Sequence, residues 1–383
     1  MIGIGFLCHA QHDNVNMMAR EMAAGFQANG VDFRLVDTRE ADAGKQLLDL
    51  LQLPETSFLC TFNNIGLPAE ANSPLVKLLN LRELPVFSWY LDHPIINAPD
   101  YAIPLARHIL GQTSPEHLTF LGQYPVHHGK PLVLTPHAVA DGPAFHWEDK
   151  DIPVMMVGTV GGSPQEERDS WAPKYGQEIA DHLNAAIEVY DSLEKPQLAD
   201  CIHTALGLAP DQRLEWSIMR SYCILLDRFL RDRTKYLQAQ LAVDCGGIAV
   251  GPGWADVVKN ARPDQVPGGQ TADKVADYIR RSKAVFAGPP AYYSSHERVF
   301  YAASHSALPV VFRNKIVSDW LDDGFILFDD RQQNLTGQME EVLADDRALQ
   351  EKAETAFDAC NARHTYRQRT AGILREMKLA AAV

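Results

Sequence analysis

The chain reads as an α/β protein built on two parallel sheets, each covered by helices. Three observations predict this. Short apolar runs alternate with helical spacings through the first 140 residues, and a second such series starts at residue 154. Apolar residues make up 46% of 383 residues, enough for two cores of ordinary size. The segment 282–312, SKAVFAGPPAYYSSHERVFYAASHSALPVVF, holds a complete strand, loop, helix and strand.

In the first half, residues 2–8 form a buried strand and 17–28 have helical spacing, ending at Asn29-Gly30, a helix stop. Strands follow at 31–36, 57–62 and 85–90, with helices at 43–51 and 73–81 between them. Further strands are expected at 108–111, 118–120 and 131–134. The polar run at Trp147 places a boundary, giving domains 1–146 and 147–383. Strand 154–157 opens the second series, and a helical insertion occupies about 175–240. Its clearest helix puts Ile218, Tyr222, Leu225, Phe229 and Tyr236 on one face. Strands resume at 247–250, 284–286, 308–312 and 325–327, and the last 50 residues are helical and charged.

Composition narrows the function. The formal charge of −14 disfavours nucleic acid or an anionic membrane as main partner. No apolar run approaches the roughly 20 residues of a spanning helix, and the N-terminus lacks a basic n-region, so a cytoplasmic protein is expected. Six cysteines form no CxxC pair, and no metal-ligand pattern is present.

In open parallel sheets, ligands bind beyond the carboxyl ends of the strands. Five loops qualify. Cys8-His9-Ala10-Gln11-His12-Asp13-Asn14 carries two histidines that could act as acid or base, or could simply cap the next helix. Leu91-Asp92-His93-Pro94 follows a buried strand, and Pro94 keeps His93 extended, which aims Asp92 and His93 apart. The alternative is an Asp that ties up its own turn. Gly158-Thr159-Val160-Gly161-Gly162 matches neither dinucleotide nor P-loop spacing, yet its glycines permit close backbone approach. Trp254, after Gly251-Pro252-Gly253, offers a ring to stack or a wall to pack. In the fifth loop, Ser294 and Ser295 precede His296, Glu297 and Arg298, with Ser295 the expected N-cap. The helix start would attract phosphate, and Arg298 would offset its charge.

These residues resemble a family. VMMVGTV, AVGPGW, the 282–312 segment and the tail HTYRQRTAGIL resemble the C-terminal domain of CgeB-like glycosyltransferases of GT-B fold. The family pattern R-x-F-E-A-x-x-x-G is matched by Arg298, Phe300 and Ala302; Tyr301 replaces the acidic residue and Ser306 the glycine. The resemblance implies two Rossmann-like domains facing across a cleft, the last helices returning to the first. It implies transfer of a sugar from a nucleotide diphosphate donor, UDP-sugar as first choice, to a protein, lipid or small-molecule acceptor. No metal and no cofactor beyond the donor is implied. Gly158, Thr159, Gly161, Trp254, Ser294, Ser295, His296, Glu297 and Arg298 would hold the donor, with Glu297 standing in for the missing carboxylate. FSWYLDHP is similar to the strand-loop facing the donor sugar, so His93, Asp92 and His9 become the catalytic candidates. An epimerase or hydrolase on the same scaffold, and a silent nucleotide binder, remain open at this point.

Overall fold

A computed structural model describes residues 1–8, 13–68, 70, 72–142, 145–209, 212–288 and 296–378. Among them, strands β1 Ile2–Leu7, β2 Asp32–Asp37, β3 Thr56–Phe62, β4 Val86–Tyr90, β5 His108–Gln112 and β6 Leu132–Leu134 form one parallel sheet in the order β2-β1-β3-β4-β5-β6. Strands β7 Ile152–Val157, β8 Ile248–Val250, β9 Ser282–Phe286, β10 Leu308–Phe312 and β11 Ile326–Phe328 form a second, ordered β11-β10-β9-β7-β8. The chain divides into two compact units, 1–141 with 363–383, and 142–362, where a start at Trp147 was expected for the second.

In the first unit both sheet faces are apolar, because alternate residues of each strand point to opposite sides. Phe58, Cys60, Phe62, Phe87 and Trp89 pack one face with Phe26. Leu59 and Val86 pack the other with Ile4 and Leu51. Helix Asp13–Ala28 starts four residues before the expected Met17. Asn16 in its first turn grips the end of β1: its Oδ1 accepts from Cys8 N at 2.8 Å and its Nδ2 donates to Cys8 O at 3.0 Å.

The expected strand at 118–120 is instead part of helix Pro115–Gln123. Ser114 caps it, accepting from Glu116 N at 3.1 Å, and Pro115 takes the first helical position. Its buried residues Glu116, His117, Phe120 and Leu121 recur four apart, a helical period that overrode the strand reading of Leu118-Thr119-Phe120. A helix the sequence reading lacked, Pro94–Tyr101, follows β4.

The tail belongs to the first unit. Val139 N donates to His364 O at 3.1 Å, and Tyr366 N to Val139 O at 2.8 Å. Helix Tyr366–Glu376 then lies on helix Asp13–Ala28 at Gly25, where a Cβ would sit 2.7 Å from the Tyr366 carbonyl. Tyr366 meets Trp89 edge-on, ring centroids 6.0 Å apart.

In the second unit, β10 is buried along its whole length, as a parallel strand covered on both faces must be. Helices between β7 and β8 run from Pro164 to Asp244, wider than the expected 175–240. In the long helix Trp216–Asp244 the buried stripe is Met219, Cys223, Leu226 and Leu230. Of the expected stripe Phe229 is buried, but Tyr222, Leu225 and Tyr236 are only half-buried and Ile218 is 47% exposed. Both stripes have helical spacing, so only packing against the neighbouring helices chooses between them; Phe229 there meets the ring of Trp171 at 5.2 Å. No helix among the described residues is long and apolar enough to cross a membrane.

Candidate functional site

On the carboxyl rim of the first sheet, Asp92 is half-buried just beyond β4. Asn63, beyond β3, donates from Nδ2 to Asp92 Oδ2 at 3.1 Å and accepts Leu91 N–H through Oδ1 at 2.9 Å. This holds the carboxylate in one orientation on the rim.

His93 is extended, as Pro94 requires, at φ −59° and ψ 143°. Its side chain, however, is 1% exposed and caps helix Pro94–Tyr101. Nδ1 accepts from Ile95 N at 3.2 Å, so Nε2 carries the proton and faces the Glu116 carboxylate at 3.2 Å. Both nitrogens are spent inside the protein, beside the ring of His117 at 5.1 Å. Burial holds His117 well below the ordinary histidine range, so it stays neutral. His93 is thus an organiser of this rim rather than an exposed base. His9 and His12 lie outside the described residues.

Counted within its own sheet, the second strand order is 2-1-3-4-5, so the order reverses between β7 and β9. A ligand crevice opens beyond the carboxyl ends at such a reversal. The loop after β7 is fastened rather than free. Gly158 N donates to Val250 O at 2.9 Å, and Val160 N to Pro252 O at 3.3 Å. Gly251, at φ +135°, has room for no side chain, since a Cβ would fall 1.8 Å from Gly158 O. Trp254 is fully buried and donates its indole N–H to Gly158 O at 2.7 Å. Trp254 therefore braces the loop and presents no ring face to a ligand, which corrects the expected stacking. Thr159 and Gly161 stay exposed on the rim, and Gly158 is half-buried.

Beyond β9, helix Glu297–Ser304 begins at His296, which is its N-cap in place of the expected Ser295. Ser294 and Ser295 lie outside the described residues. His296 Nδ1 accepts from Arg298 N at 3.3 Å and also lies 2.7 Å from the Glu297 carboxylate. One nitrogen cannot do both, since the first contact needs a lone pair and the second a proton. The Arg298 N–H and the Glu297 carboxylate therefore compete for this nitrogen, on a ring whose pKa burial lowers. The helix mouth expected to be open is thus partly filled by the protein's own imidazole.

Arg298 is half-buried, and its guanidinium has no hydrogen-bond partner among the described residues. Desolvation lowers its pKa, with Glu297 opposing. Gly288, at φ +53°, makes its space: a Cβ there would lie 2.8 Å from Arg298 Nη1 and 3.9 Å from Gln238 Oε1. Gln238 is fully buried with neither amide atom partnered among the described residues. Lys235, one turn earlier, reaches within 3.8 Å of where a Gly158 Cβ would be, its ammonium on Asp232 at 3.1 Å. Sequence reasoning missed Gln238, Lys235 and Glu116. Only the spacing of Lys235 and Gln238 on one helical face hinted at the first two. Tyr301, in the acidic position of the motif, stacks on His305 at 4.7 Å and packs toward Met155 and Ile279.

Residues 226–375 match the glycosyl transferase-like family. No curated protein sequence matches the chain. Sucrose-phosphate synthase from Thermosynechococcus elongatus is 10% identical, covers 100% of both chains and has a TM-score of 0.52. Anabaena HepE, solved with UDP and glucose, is 10% identical over 99% of this chain and 100% of its own, TM-score 0.53. An alpha-glucosyltransferase solved with UDP is 13% identical over 98% and 99%, TM-score 0.53. At such identities the likeness bears on fold, and it spans the whole chain.

Proposed function

The chain has the GT-B fold and carries a glycosyl transferase-like domain, and from that premise we propose that it moves a sugar from a nucleoside diphosphate donor to an acceptor. The observation that carries the reading is Arg298: a half-buried guanidinium with no hydrogen-bond partner among the described residues, where the strand order of the second sheet reverses. Desolvation outweighs the favourable charge of Glu297 there, and a diphosphate would restore the balance. Arg298 then stabilises the leaving diphosphate, an electrostatic role. Solved neighbours bound to UDP make a UDP-sugar the first donor to try.

Asp92 is assigned as the base if the reaction inverts, since Asn63 orients it and it remains half-exposed. His93 and Glu116 position the rim beneath the acceptor. Membership of the CgeB-like branch is part of this reading and rests on the motifs around Gly158, Gly251 and Arg298. A cytoplasmic setting fits six cysteines that form no disulfide.

The test is a thermal-shift series with UDP-, GDP-, dTDP- and CMP-sugars on the full chain. A donor at 100 times its Kd stabilises by about 2.7 kcal/mol. Release of the nucleoside diphosphate that depends on added acceptor supports transfer. Turnover without acceptor would mark a hydrolase or epimerase, and binding without any turnover a silent binder.

A further inference from the structure

Gln238 lies in the long helix Trp216–Asp244, one turn after Lys235. Its side chain is fully buried, and neither amide atom has a hydrogen-bond partner among the described residues. A buried amide left this way has lost its water and gained nothing from the protein in return. An apolar side chain of the same shape would be more stable there, so the amide needs another explanation.

The position of Arg298 supplies one. Gly288, two residues beyond β9, has φ +53°. A Cβ built there would lie 2.8 Å from Arg298 Nη1 and 3.9 Å from Gln238 Oε1. The guanidinium and the amide oxygen therefore border one small gap, which the missing side chain of Gly288 leaves open. Their chemistry is complementary, since a guanidinium only donates and an amide oxygen only accepts. Yet no hydrogen bond joins them in this structure.

Burial separates their duties. Both amide atoms of Gln238 are closed to solvent, so this side chain is not placed to touch a ligand. Arg298 is half-buried and reaches the surface. Any effect of Gln238 on a ligand must then pass through Arg298. A guanidinium is a planar fork, so one nitrogen can be held from behind while the others stay free for an anion.

We propose that Gln238 is a positioning residue for Arg298: its amide oxygen accepts a guanidinium N–H across the Gly288 gap when a diphosphate binds, and so fixes the rotamer that holds the leaving group. The inference rests on the reading of Arg298 as the diphosphate ligand. It adds that the helical insertion, and not only the sheet rim, sets donor affinity. Pinning a long side chain from behind lowers the entropy lost when the ligand orders it.

The experiment is a double-mutant cycle on the full chain, with UDP titrated by calorimetry and melting temperatures read in parallel. Gln238→Met should weaken UDP binding at least fivefold in the natural chain and less than twofold when Arg298 is already alanine. The melting temperature of Gln238→Met should be equal or higher, because methionine fills the place without orphaned polar atoms. A residue that served packing alone would lose stability and binding together. Gln238→Leu repeats the cycle should the methionine variant not fold. Unchanged UDP affinity in Gln238→Met, or equal losses in both backgrounds, overturns this inference and leaves the donor reading standing. No UDP binding by the natural chain, or undiminished binding by Arg298→Ala, overturns both.

Discussion

Gly288→Ala tests the donor site through geometry alone. The residue sits at φ +53°, where a side chain costs about 1–2 kcal/mol. The added Cβ would lie 2.8 Å from Arg298 Nη1, closer than such contacts allow, so the guanidinium must move. Gln238 Oε1, 3.9 Å from the same point, limits where it can go. Displacing Arg298 removes a charge-assisted hydrogen bond to the diphosphate, worth roughly 1.5–3 kcal/mol. That corresponds to a loss of roughly ten- to hundredfold in UDP affinity. Calorimetric titration of UDP, with thermal unfolding in parallel, reads both effects. Arg298→Ala should show the same affinity loss without the strain. If Gly288→Ala lowers the melting temperature yet binds UDP like the natural chain, Arg298 does not hold the diphosphate.

Three further outcomes are expected. His296→Ala removes the cap on Arg298 N–H and should cost about 1 kcal/mol of stability while tightening UDP binding; weaker binding would mean the imidazole itself contacts the ligand. Asp92→Asn should lower kcat by roughly a hundredfold or more with donor affinity unchanged, read from initial rates over a donor series. Glu21 is raised from 4.5 to about 7 by burial, with the Ala140 N–H opposing. A raised folded-state value means that its contribution is whole below pH 4.5 and lost as pH climbs through 7. Urea unfolding should therefore show roughly 2–3 kcal/mol lost between pH 4.5 and 8, and Glu21→Gln should flatten that slope; a slope unchanged in the variant would place the titration elsewhere.

Parallel strands were readable because burial on both faces forces long apolar runs, as in VFSWY and LPVVF. Ser114-Pro115-Glu116 was a helix start overlooked in favour of three β-prone residues after it. The loops bearing the site were legible by position, since sheet topology fixes which ends face ligand. Side-chain duty was not. Trp254 and His93 have residue types suited to binding, yet each is consumed by a backbone partner that only the folded chain supplies: Gly158 O for the indole and Ile95 N for the imidazole. Gln238 shows in sequence only as a residue one turn from Lys235, because its isolation is a property of its surroundings.

The docking of Tyr366 against Gly25 and Trp89 carries a cost in the order of synthesis. The six strands of the first sheet leave the ribosome early, but the segment that completes their aromatic face is translated more than two hundred residues later. At about 5–20 residues per second, that face waits roughly 10–40 seconds for its cover. During this interval Phe62 and Trp89 are unshielded, so yield in the cell should depend on chaperone supply and fall sharply when helix Tyr366–Glu376 is deleted.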